Sequence, residues 1–277
     1  MVVVFALLAA VIYGTGDFVG AFASRHRSAI TVLLYAYPVG ALLMLALLPA
    51  FAGPLDARTA LLGVGGGIGG LVGVIVMYCL MARAPMNIIS PVTAVLAAVV
   101  PVGFGLLVGE RPHLSAWLGI AIGLIAVMFV SYTSDDHPHG PIGIRILALA
   151  CLSGVGFGVY FICLARANHD SGLWPLVISR LTSAALIVPL ARGRRVAQPL
   201  SGRVLFLAVL AGVLDASANL FFLLASRHGL LSVASVITSL YPAMTVLLAV
   251  LVLHEHTGRL QRIGLAMAAT SIVLISY

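Results

Sequence analysis

Residues 107–119 read LVGERPHLSAWLG and residues 252–264 read VLHEHTGRLQRIG. Slid over each other by 145 positions, Glu110 falls on Glu255 and Gly119 on Gly264. The same register puts Ser90 on Ser235, Thr93 on Thr238 and Ser131-Tyr132 on Ser276-Tyr277. Near the start of each half the shift becomes 140, and Gly14 and Gly16 meet Gly154 and Gly156. The chain is therefore read as one unit written twice. Residues 1–132 form the first copy, 133–142 (TSDDHPHGP and one further residue) a polar linker, and 143–277 the second copy.

The sequence on either side of these stretches fixes the solvent. Of 277 residues, 62% are hydrophobic and 8% charged, against about 25% charged in an ordinary soluble domain. A compact soluble fold still leaves roughly a quarter of its chain surface in water, which excludes such a composition. Apolar runs cover residues 2–22, 30–51, 59–81, 86–108 and 114–132, then 143–165, 173–191, 204–225, 230–253 and 259–277. Each approaches the length of about 20 residues that a helix needs to cross a bilayer. The expectation is an all-α integral membrane protein of ten transmembrane helices. Because each copy has an odd number of crossings, the second enters from the opposite side, which makes the five-helix repeats inverted. Inverted repeats are typical of transporters that bind substrate near the membrane midplane and alternate its access.

The repeated motifs also carry a family resemblance. Gly109-Glu110 before Trp117-Leu118-Gly119, and His254-Glu255 before Arg262-Ile263-Gly264, resemble the end of the EamA repeat of the drug/metabolite transporter superfamily. Tyr13-Gly14 resembles its Trp-Gly start, and Ser179-Arg180 its intramembrane arginine. The departures are His254 in place of Gly, Tyr13 in place of Trp, and Asp17 where a neutral residue is usual. The resemblance implies a multi-pass cell-membrane carrier that moves small metabolites or drugs, often outward; with no nucleotide site in the sequence, the expected drive is a proton or substrate gradient. The competing reading is a non-transporting multi-pass protein, such as an assembly partner or an intramembrane enzyme.

Charges inside the membrane are expensive, about 3 kcal/mol at the bilayer centre on insertion scales, so the few present are the candidates for function. Arg180 lies roughly 10 Å into helix seven and Asp215 roughly 18 Å into helix eight from the opposite side. In a core about 30 Å thick these depths nearly coincide, so the two can pair. Asn219 lies one turn beyond Asp215 on the same face. Either the pair simply joins two helices, or it lines a central cavity that binds the polar end of a substrate or a coupling proton. Asp17, roughly 9 Å from the end of helix one, is read as a gate or proton site, or as a plain interfacial carboxylate. Tyr13, Tyr78 and Tyr160 are candidates for an aromatic, hydrogen-bonding wall.

Other features are read structurally. Gly63 to Gly73 contains a literal GxGxxG, but inside an apolar span it lacks the strand that a nucleotide fingerprint requires, and its spacing suits close helix packing. Prolines 91, 101 and 242 are candidate kinks or breaks in helices four and nine. Glu110 and Glu255 are read as caps of the following helix or partners of an arginine. Cys79, Cys151 and Cys163 sit in apolar runs as small hydrophobes. The histidines at 137, 139, 254 and 256 lack the scaffold of a metal site, and no catalytic constellation appears. The expectations are no cofactor, no metal, no enzymatic activity and no nucleic-acid partner, with lipid and a small molecule as partners and a monomer or homodimer as the assembly. Residues 2–22 are read as a retained helix, since the basic segment of a signal peptide is missing. The fifteen basic residues are all arginine. Loops after odd-numbered helices hold ten and those after even-numbered ones four, which places the termini outside by the positive-inside rule. The family pattern places them in the cytoplasm.

Overall fold

The computed structural model describes residues 1–24, 27–51, 53–81, 86–131, 144–193, 199–253 and 258–276, with side chains except at 21, 78, 81, 86–91, 249 and 252–253. The linker, the two histidine clusters, Glu255 and the side chain of Tyr78 thus lie outside the described residues. Within them every regular element is helical, as the bilayer demands of a chain whose backbone polar groups must be satisfied internally.

The helices are α1 (Val2–Ser24), α2 (Ala29–Leu47), α3 (Ala57–Met81), α4 (Met86–Leu107), α5 (Leu114–Ser131), α6 (Ile144–Arg166), α7 (Trp174–Gly193), α8 (Gly202–Arg227), α9 (Leu231–Thr238), α10 (Tyr241–Leu253) and α11 (Arg259–Ser276). Among the described residues, eight segments are long and apolar enough to cross a membrane. In one of them, Leu231–Leu248, α9 and α10 act together. The remaining two are α4, with a shorter apolar stretch over Val92–Leu107, and α11, whose first turn carries Arg259, Gln261 and Arg262.

Of the candidate breaks at prolines, the one at Pro242 is present. The run at 230–253 is broken at Ser239-Leu240. Pro242 has no N–H to continue the ladder, and Leu240 turns back tightly onto the Ile237 carbonyl at 3.2 Å. By contrast, α4 runs unbroken through both Pro91 and Pro101. The second apolar run also ends early, passing into a 3₁₀ turn over Leu48–Phe51.

Packing pairs the two halves in matched sets. α1 lies along α8 and α6 along α3; α2 meets α8 and α7 meets α3; α4 crosses α6, while α9 and α10 cross α1. α5 and α11 pack on each other. Exchanging the halves maps each pairing onto its mate, so the duplicated sequence is also a duplicated arrangement, and most interhelical contact joins one copy to the other.

Glycines set the approach distances. A Cβ on Gly67 would stand 2.6 Å from the Ser179 carbonyl oxygen, and one on its counterpart Gly212 would stand 2.5 Å from that of Ala36. The glycine run of α3 is therefore a packing face against α6 and α7, as its small-residue spacing suggested.

The Gly109-Glu110 motif has a local cause. Gly109 takes φ +96°, and its N–H reaches Leu106 O while that of Glu110 reaches Gly105 O, the bond pattern of a glycine-terminated helix end. Glu110 is thereby turned toward the second half. Its carboxylate accepts from the N–H groups of Leu231 at 2.6 Å and Ser232 at 3.0 Å. It caps α9, not the helix that follows it in sequence.

Candidate functional site

A cavity of about 130 Å³ lies between the halves, lined by residues of helices from both. Asp17, Tyr13, Tyr160, Arg180, Asp215 and Asn219 all line it, so six of the seven candidates from sequence share one space. Tyr78, whose side chain is not described, is the seventh.

The cluster is built around α8. Arg180 Nη1 lies 2.5 Å from Asp215 Oδ2, and Nη2 donates to the Asp215 backbone carbonyl at 3.5 Å. One turn on, Asn219 Nδ2 donates to that same carbonyl at 2.7 Å and to Asp215 Oδ1 at 3.3 Å. Asn219 Oδ1 in turn accepts from the Tyr13 hydroxyl of α1. The chain Tyr13–Asn219–Asp215–Arg180 thus ties α1, α8 and α7 into one polar wall.

Its two charges are unequally placed. The Arg180 side chain is 6% exposed and that of Asp215 42%. The guanidinium carbon lies 5.8 Å from the centre of the Tyr37 ring, within reach of a cation–π contact. Asp17 is exposed, and among the described residues no cation pairs with it. Tyr160 keeps a buried hydroxyl, and its ring lies against Gly70.

Sequence reasoning missed the aromatic and apolar share of this wall, including Tyr37, Phe157, Phe161 and Tyr241. The place of Tyr37 in the repeat is set by packing and not by the shifts of 145 and 140 seen in the sequence. Gly67 packs on Ser179 as Gly212 packs on Ala36, which sets the α2/α7 register at 143 and makes Tyr37 the counterpart of Arg180.

One face of the bundle carries a seam between the halves. Asp56 caps α3 by accepting from Thr59 N–H at 2.6 Å, and its other oxygen accepts from Asn168 Nδ2 at 3.1 Å. Those donated bonds hold the Asp56 carboxyl below its usual value of 3.8. Trp174 Nε1 donates to Gly53 O at 3.0 Å, and the Glu110 cap of α9 lies on this same face.

The fold is a multi-pass helical bundle in two similar halves around a largely apolar internal cavity that holds a cluster of charged groups. The chain belongs to the EamA-like transporter family, whose model matches residues 1–132 and 144–277, within the drug/metabolite transporter superfamily. It is accordingly a multi-pass protein of the cell membrane. A solved crystal structure of a 17% identical protein superposes with a TM-score of 0.78 over 99% of this chain and 95% of that one, a likeness of fold. No curated protein sequence matches it.

Proposed function

We propose that the protein is a secondary carrier that exports small metabolites or drugs by alternating access, with units 1–132 and 143–277 inverted about the membrane midplane. The supporting observation is the cavity between the halves. It is bordered by helices of both copies and holds Asp17, Arg180 and Asp215, charges that the bilayer penalises unless they face water, a partner or a solute.

In this reading the seam joining Asp56 to Asn168, Gly53 to Trp174, and Glu110 to α9 closes one face. Rocking one half against the other breaks the seam and exposes the cavity on that side. The short α9 and the break before Pro242 give the bundle an element that can tilt separately. Such interrupted helices commonly flank the substrate in carriers of this kind. The reaction is translocation, with no bond made or broken and no cofactor needed, and a proton or substrate gradient drives it.

The test is flux in liposomes containing the purified protein, using labelled amino acids, sugars and organic cations, with and without a pH gradient. A saturable flux that exceeds empty liposomes for one class and is lost in an Asp17→Asn/Asp215→Asn double variant is expected. Flux equal to that of empty liposomes for every class overturns the reading.

A further inference from the structure

The repeat register assigns each charged position of the cavity a counterpart in the other half, and the counterparts line the cavity too. Asp17 corresponds to Phe157 at the shift of 140, and Asp215 to Gly70 at 145. Asn219 corresponds to Val74, and Arg180 to Tyr37 through the Gly67/Gly212 packing. The first member of each pair is thus a carboxylate, an amide or a guanidinium, while its counterpart under the duplication is phenyl, phenol, glycine or valine.

Among the described residues lining the cavity, the charged groups are two carboxylates and one guanidinium. Arg180 is committed to Asp215 and is the more buried of the two, so the carboxylate is the more accessible charge of the pair. That leaves Asp17 as negative charge in excess. An unpaired carboxylate on the wall of a largely apolar cavity favours a balancing positive charge, and the aromatic rings that share the cavity add faces that attract cations.

We infer that the cavity selects organic monocations with an apolar body, the cationic group against Asp17 and the body along the Phe157, Gly70 and Val74 side. This rests on the carrier reading and names the substrate class for it. Asp17 sets the charge preference. Arg180 is a positioning residue that fixes Asp215 and does not itself receive the solute. The missing side chain at Gly70 lets the Tyr160 ring close against α3, its Cδ2 3.2 Å from where a Cβ would stand, so that ring is part of the wall the apolar body meets.

The test is binding, measured by equilibrium dialysis on purified protein in micelles, with empty micelles as the blank. The probes share one ring and differ in charge: labelled 2-phenylethylammonium, phenylalanine, 3-phenylpropionate and 2-phenylethanol. The cation is expected to bind at least tenfold more tightly than the anion and the neutral alcohol, and more tightly than the zwitterion. Asp17→Asn is expected to bring the cation to within threefold of the alcohol, and Asp17→Glu to retain the preference. If the Asn variant does not stay monodisperse, the wild-type series and the Glu variant decide. Absence of cation binding, tighter binding of the anion or zwitterion, or a charge preference that survives Asp17→Asn overturns the inference. Cation binding without flux in liposomes retires the carrier reading alone. Saturable flux of an anion without cation binding retires this inference alone.

Discussion

Replacing Asp215 by Ala strips the carboxylate from a guanidinium whose side chain is 6% exposed. Removing one partner of a buried ion pair costs about 3–5 kcal/mol, chiefly because the other charge is left without compensation. Asp215 is 42% exposed, so cavity water screens the pair, and we place the loss at about 2–3 kcal/mol. Arg180→Met is milder, at about 1 kcal/mol, because the exposed carboxylate keeps Asn219 and water as partners. The double variant Arg180→Met/Asp215→Leu removes both charges and fills the space. Replacing a buried pair with apolar side chains is often close to neutral, so the double variant should be more stable than Asp215→Ala by about 2 kcal/mol. Equilibrium unfolding in mixed micelles, followed by the fluorescence of Trp117 and Trp174, reads all of these forms. Additive losses in the double variant, or an Asp215→Ala form within about 0.5 kcal/mol of wild type, would show that the pair does not hold α7 on α8. The double variant also separates two roles. If the pair only joins helices, it transports normally; if the pair presents Asp215 to the solute, it folds and does not transport.

Three further outcomes follow from the seam and the packing. Glu110→Ala leaves the α9 N–H groups of Leu231 and Ser232 without their acceptor, and their hydrogen exchange should quicken by about tenfold or more; unchanged rates would show that the cap adds nothing. Asp56 has a folded value below its ordinary 3.8, so its stabilisation is complete above that pH and is lost as pH falls through the lower folded value. Melting curves should show wild type converging on Asp56→Asn below about pH 4, and a constant gap down to pH 2 would contradict this. Gly67→Val drives a side chain into the Ser179 carbonyl and should cost about 3 kcal/mol or more and most of the monodisperse yield. Gly103→Val, with nothing within 4 Å of its Cβ, should be tolerated. Equal chromatograms for the two would mean that α3 and α7 are not closely packed.

What the sequence discloses follows from how steeply the bilayer charges for each feature. Asp17, Arg180 and Asp215 could be read in advance because an intramembrane charge is costly enough to stand out against an apolar background, and the structure brings all three to one cavity. The duplicated glycines were legible for a similar reason, since close backbone approach leaves no alternative residue. Glu110 was not legible in this way. Its partners lie 121 and 122 positions away, in the other copy, and a helix-end glutamate in one sequence looks the same whether it caps its neighbour or a helix across the bundle. The apolar lining was hidden by the opposite problem, because Phe157 and Val74 are ordinary residues for a spanning helix and only the repeat register makes them informative. Duplication had made both halves alike, so it is the positions where the copies now differ, carboxylate against phenyl at 17 and 157 and guanidinium against phenol at 180 and 37, that carry information about the solute. Transplanting the difference is the sharpest use of it. An Asp17→Phe/Phe157→Asp exchange keeps the composition of the cavity and moves the excess charge to the other half, so monocation binding should persist while the preferred shape of the apolar body changes. Loss of all charge preference in a well-folded exchange variant would mean that the cavity's halves are not equivalent under the repeat.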